Sequence, residues 1–154
     1  VSMAPYGGIN SVAVRGGVVA CAVEAADPQA PGSVVFFDAN GTFLKQVAVG
    51  AMPDMLAFSP DGRLLLTANE GEPNATYTND PEGSVSIIDF AGGVAGVSQS
   101  SVTTVGFASF NDKAAALRAT GVRLFGGTAA NPVTVAQDLE PEYVAFSPNA
   151  RLAY

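Results

Sequence analysis

At 154 residues, 48% of them apolar and 14% charged, the chain is long enough for one domain with a substantial core. Seven Lys and Arg against fourteen Asp and Glu leave a net charge of −7, which disfavours nucleic acid as a partner because nothing here could neutralise a phosphate backbone. The sequence has no histidine, which excludes Ser-His-Asp and Cys-His catalysis within this chain, and its single cysteine, Cys21, can form no intrachain disulfide.

In chain order, the first unit spans residues 9–50. Short strands are expected at about Ser11–Arg15, Val18–Glu24, Gly32–Asp38 and Thr42–Val49. Asp38-Ala39-Asn40-Gly41 is a hairpin turn signal before the last of them. The second unit, residues 53–107, opens on Pro53-Asp54-Met55-Leu56-Ala57-Phe58, and Ser59-Pro60-Asp61-Gly62 turns the chain into the apolar run Leu64–Ala68. An acidic loop follows, then a strand from Gly83 to Asp89, a flexible turn at Ala91–Gly96 and an outer strand at Ser101–Phe107. The period breaks over residues 108–137. There Asp112–Ala119 carries helix formers, with Asn111 as its expected N-cap and Gly121 as its stop. Thr134-Val135-Ala136 should lead into a third unit at residues 138–154.

These units are copies of one another. Pro141–Leu152 repeats Pro53–Leu64 nearly residue for residue, Val18–Glu24 matches Leu64–Glu70, and Gly32–Asp38 matches Gly83–Asp89. Repeats of about 40–45 residues, each holding several short strands, are the mark of β-propeller blades. The expected fold class is therefore all-β: an incomplete β-propeller of four-stranded antiparallel blades over residues 1–154, with one short inserted helix. Phe58 and Phe146 should be buried at equivalent places. Open sheet edges at both ends favour self-association through strand edges.

In such a fold the loops entering the first strand of each blade open on the same side as the loops between its second and third strands. That face would carry Glu24 from the first blade, Glu70, Glu72, Asp80 and Glu82 from the second, and Asp138, Glu140 and Glu142 from the third. Asn10 and Asp54 mark the mouths of the first two blades, and no Lys or Arg lies in these loops. Crowded carboxylates repel one another unless a hard cation neutralises them, so calcium or another divalent cation is the expected cofactor of these eight acids. No apolar run approaches the roughly 20 residues of a membrane span.

Asn69-Glu70-Gly71-Glu72-Pro73-Asn74, Asp80-Pro81-Glu82-Gly83-Ser84-Val85 and Val135-Ala136-Gln137-Asp138-Leu139-Glu140-Pro141-Glu142-Tyr143 together resemble the choice-of-anchor I family. These are secreted bacterial propeller proteins related to mesenchyme-specific cell-surface glycoproteins, and some members are named alkaline phosphatase or phytase-like esterase. The resemblance covers nearly the whole chain. It implies an extracellular or cell-surface setting and makes this the N-terminal part of a longer propeller, whose remaining blades are its first partners. Two functions follow as expectations. One is a binding module whose acidic, calcium-holding channel face recognises an extracellular ligand. The other is a metal-dependent phosphoester hydrolase, for which the acidic loops lack a positive group to meet the phosphate.

Overall fold

A computed structural model describes residues 6–154, so the first five residues of the expected propeller segment lie outside the described residues. Two four-stranded antiparallel sheets dominate. The first holds β1 (Tyr6–Arg15), β2 (Val18–Ala25), β3 (Pro31–Asp38) and β4 (Phe43–Ala51), hydrogen-bonded in that order. The second repeats the arrangement with β5 (Pro53–Phe58), β6 (Leu64–Asn69), β7 (Ser84–Asp89) and β8 (Val102–Gly106). The fold is all-β with few helical turns. The strands β1 and β4 run longer than their side-chain alternation suggests, because register shifts near Ile9 and Pro31 let pairing continue past the regular ladder.

Alternation decides which face each strand buries. Ala20 and Ala22 of β2, Val34 and Phe36 of β3, and Val47 and Val49 of β4 pack against Leu56, Leu65 and Ile88 of the second sheet. Stacked and edge-on rings extend this core, with Phe90 lying 5.8 Å from Phe36 and 5.1 Å from Phe58. The opposite face of the second sheet presents Leu66 and Ala68, which are covered by Val144. Phe58 and Phe146 pack against these clusters from matching positions of the repeat but only partly buried, which corrects the expectation that both are buried. The residues that fill the equivalent core places are Leu56 and Val144, each two positions earlier.

The repeated turn is reproduced atom for atom. Ser59 Oγ donates to Asp61 Oδ1 at 2.7 Å and Gly62 N–H to the Ser59 carbonyl at 2.8 Å. In the third unit Ser147 Oγ donates to Asn149 Oδ1 at 2.8 Å and Ala150 N–H to the Ser147 carbonyl at 2.9 Å. Ala150 adopts the left-handed φ of 56° that Gly62 adopts with less strain at 75°. After this turn the third hairpin is paired at Ala145 and Tyr154 and bridged at Phe146 and Ala153.

The connecting segments differ from the sequence reading in three places. Gly93–Gly96 forms a single helical turn, α1, where a flexible turn is expected. The inserted helix is a 3-10 turn at Ala108–Lys113 followed by α2 (Ala114–Ala119). Asn111 does not cap it. Its Oδ1 instead accepts the Ala136 N–H at 2.9 Å, tying the start of the insertion to its end. The stop at Gly121 does hold, in a left-handed φ of 93°. Finally, the segment read only as a lead into the third unit is the helical turn α3 (Val135–Asp138), with Thr134 and Gln137 closing a capping box.

Candidate functional site: two groups of carboxylates beside the second sheet

Strand β6 ends in a fixed polar anchor. Asn69 is fully buried, accepts the Thr67 hydroxyl at 2.8 Å, and donates to Ser84 at 3.2 Å and Ser86 at 2.9 Å. With both amide N–H groups donated to β7 and its oxygen accepting from Thr67 on its own strand, Asn69 is fixed, so the next residue, Glu70, leaves the sheet from a defined point. The Glu70 N–H meets the Met52 carbonyl at 2.9 Å, which puts this loop beside the entry to β5. Gly71 follows with φ 70°, where a Cβ would lie 2.8 Å from the Glu82 carbonyl oxygen. Only glycine lets the two ends of the acidic loop meet there.

Loops from both sheets do share this side. Asn10 Nδ2 donates to the Pro53 carbonyl at 3.3 Å, and Gln29 Nε2 to the Glu72 carbonyl at 3.2 Å. The end of the insertion, just before the third unit, is stitched on by the Gly83 N–H to the Ala136 carbonyl at 2.9 Å and by Gln137 Nε2 to the Asp80 carbonyl at 2.8 Å.

The eight expected carboxylates separate into two groups and two outliers. Burial first, and then the negative charges of Glu72, Asp54, Glu142 and Glu140, push the Glu70 pKa up to about 7. The second group is Asp80, Asp138 and Glu140. Burial and the Asp138 charge raise Asp80, and burial followed by the charges of Asp138, Asp80, Glu72 and Glu142 raises Glu140. Asp80 as a residue is partly exposed, yet its Oδ1 is shut away from solvent with no hydrogen-bond partner. Asp138 Oδ2 accepts the Gly126 N–H at 3.0 Å. Glu24 lies apart beside Gly8 on β1, and Glu82 contributes its backbone to the close approach at Gly71.

A cavity of about 320 Å³ opens over the second group, lined by Tyr77, Asp80, Arg123, Phe125, Gln137 and Glu140 among others. Arg123 and Phe125 come from the inserted segment, and Tyr77 and Phe125 place their rings 6.0 Å apart. Sequence reasoning missed this cationic group, because Arg123 lies outside the acidic loops and reaches them only through the folding of the insertion. Among the described residues, no three carboxylates converge closely enough to form a ready-made metal site.

The sequence matches the choice-of-anchor I domain over residues 2–154. That match makes the chain a secreted or surface-associated domain, and no helix among the described residues is long and apolar enough to cross a membrane. No curated protein matches the chain. Among solved structures it is similar to one described as the crystal structure of the eukaryotic initiation factor, with TM-score 0.54 and 18% identity over 99% of this chain and 26% of that one. The likeness concerns the fold alone, and this chain spans about a quarter of that solved chain.

Proposed function

Because the chain belongs to the choice-of-anchor I family, we propose that it is an arc of a β-propeller serving as the binding part of a secreted or cell-surface protein. Its acidic face takes up calcium or a similar hard cation and presents it to an extracellular ligand. The stacking of two four-stranded sheets, with a third hairpin on the next face, supports the propeller arc. The observation that carries the binding reading is the electrostatic state of Glu70. A carboxyl pushed up to about 7 by burial first and then by four neighbouring acids is a group whose ionised form is unfavourable until a cation arrives. Since the carboxylates do not form a closed cage, the cation is bound weakly, by side chains that draw in around it. Glu70, Glu72 and Glu142 would hold it on one side and Asp80, Asp138 and Glu140 on the other.

Arg123 gives the hydrolase reading its one support, as a positive group beside carboxylates in a cavity of suitable size for a phosphoester. It stays second, because hydrolysis through metals needs a fixed ion or ion pair and the acids here are spread over two groups.

The test is thermal unfolding of the intact protein at pH 8. Calcium at roughly tenfold excess over Kd should stabilise it by about 1.4 kcal/mol, following RT ln(1 + [L]/Kd), and chelator should reverse the gain. Glu70→Gln should blunt the response, while Asp61→Asn, at the repeated turn, should leave it intact. A melting temperature unchanged from zero to millimolar calcium defeats the reading.

A further inference from the structure

The inserted segment does more than separate two repeats. Residues 122–133 fold back on themselves, with the Thr128 N–H on the Asn131 carbonyl at 2.9 Å and a bridge between Gly127 and Pro132. Arg118 donates to the Leu124 carbonyl at 3.3 Å and holds the start of this fold against α2. Asn131 Nδ2 donates to the Thr76 carbonyl at 3.1 Å, which fastens the segment to the acidic loop between β6 and β7.

Each side of that junction presents an aromatic ring. Tyr77 sits at φ 55°, a left-handed conformation that a bulky residue adopts only when its surroundings impose it. Asn74 imposes it, since its carbonyl accepts the Tyr77 N–H at 2.9 Å and its Oδ1 the Thr78 N–H at 3.0 Å. The Tyr77 ring is thereby set 6.0 Å from that of Phe125, which is 58% exposed and lines the cavity of about 320 Å³. Arg123, Asp80, Asp138 and Glu140 line the same cavity. Among the described residues Asp80 Oδ1 has no hydrogen-bond partner and is shut away from solvent, so the charge of this carboxylate must be met through its other oxygen.

The lining sets what a ligand must carry. Three carboxylates against one guanidinium repel a simple anion, while a simple cation would meet Arg123 as a like charge. A ligand with both an ammonium and a carboxylate group satisfies the two signs, and an apolar body covers the rings. A cavity of about 320 Å³ is at the small end of ligand sites, with room for one amino acid rather than a chain of them. We propose that this cavity binds a free amino acid with an aromatic or large apolar side chain. Its ammonium group lies on the Asp80, Asp138 and Glu140 carboxylates, its carboxylate on Arg123, and its side chain on Tyr77 and Phe125. The proposal rests on the reading of the acidic face as a binding face and names its ligand. It does not need calcium, which would compete for the same three carboxylates.

The test is calorimetric titration of the full-length protein with phenylalanine, in chelator at pH 8. Saturable one-to-one binding is expected. Phenethylamine, which lacks the carboxylate, and phenylpropionate, which lacks the ammonium group, should each bind about tenfold more weakly or worse. Arg123→Gln should cost about tenfold in affinity and Phe125→Ala roughly threefold. Both side chains are exposed, so both variants should melt with the parent, and Asp61→Asn should bind as the parent does. No binding up to millimolar phenylalanine overturns the proposal, whether or not calcium stabilises the protein. Equal binding of phenylpropionate overturns it too, because the carboxylates would then have no part in recognition. So does tighter binding of phenyl phosphate than of phenylalanine, which would assign the cavity to the hydrolase reading.

Discussion

Replacing Leu56 by Ala should destabilise the chain by about 3 kcal/mol, within the 2–5 kcal/mol typical of a large-to-small change in a core that cannot collapse. Leu56 is 2% exposed and lies on β5, where the second sheet meets the first. Its side chain stands among Ala20, Ala22 and Phe36, and two of those neighbours are too small to fill the void by moving. Its N–H also reaches Ser11 Oγ at 3.5 Å, so the backbone is held in place while the side chain is removed. Urea unfolding with an unchanged m-value is the measurement. Val105→Ala, on a strand face that is 47% exposed, should stay within about 0.5 kcal/mol of the parent. Equal losses at the two positions would show that the sheet–sheet contact is not the core.

What the sequence made legible was local. Period-2 alternation and the Ser-Pro-Asp-Gly turn located β5 and β6, and the same chemistry with Asn149 and Ala150 located the third hairpin. Repetition then supplied the relation between sheets. The parts that stayed hidden depend on tertiary hydrogen bonds with no local signature. Asn111 looks like a helix cap because caps are its commonest use, but here a backbone N–H from residue 136 takes its oxygen. The Thr134–Gln137 spacing is that of a capping box, a signal passed over in the sequence reading because only four helical residues follow before the chain extends again, too few for periodicity to show. Phe58 misleads for another reason. Alternation names the face of a strand but not how far along it the neighbouring sheet reaches, and β5 is covered at Leu56 more fully than at its end.

The acids were legible as a set and not as an arrangement. Loops on one side of a repeat gather carboxylates on one side of the molecule, and that much follows from topology. Which of them face each other is decided by α3 and its bonds to the Asp80 and Gly83 backbone, which bring Asp138 and Glu140 to Asp80 and leave Glu24 behind on β2, beside Gly8. Arg123 enters by the same route. A sequence read one loop at a time assigns it to no site.

Between pH 4.5 and 7 the chain should lose stability as pH rises, with Glu70 as the main cause. In the unfolded chain Glu70 titrates near 4.5, whereas folding pushes it up to about 7. Within this window the folded form keeps a proton that the unfolded form has released. The unfolded state therefore binds fewer protons, and the free energy of unfolding falls with increasing pH. Below the window both states are protonated and the penalty is absent. Above it both are ionised and the penalty is constant. Because Glu70 is only partly buried, solvent screening limits the loss to the order of 1–2 kcal/mol. Asp80 and Glu140, also raised by burial, act in the same direction. Asp61 acts oppositely and elsewhere, since the Ser59 hydroxyl and the Arg63 N–H hold it below its usual value, and its contribution disappears only in more acidic solution. Urea denaturation across pH 4–8 should show the decline, and Glu70→Gln should flatten most of it. Millimolar calcium should restore stability at pH 8 while doing little at pH 5, where Glu70 is still protonated. A parent chain as stable at pH 7.5 as at pH 5 would mean that Glu70 faces open water and that its four acidic neighbours do not bear on it.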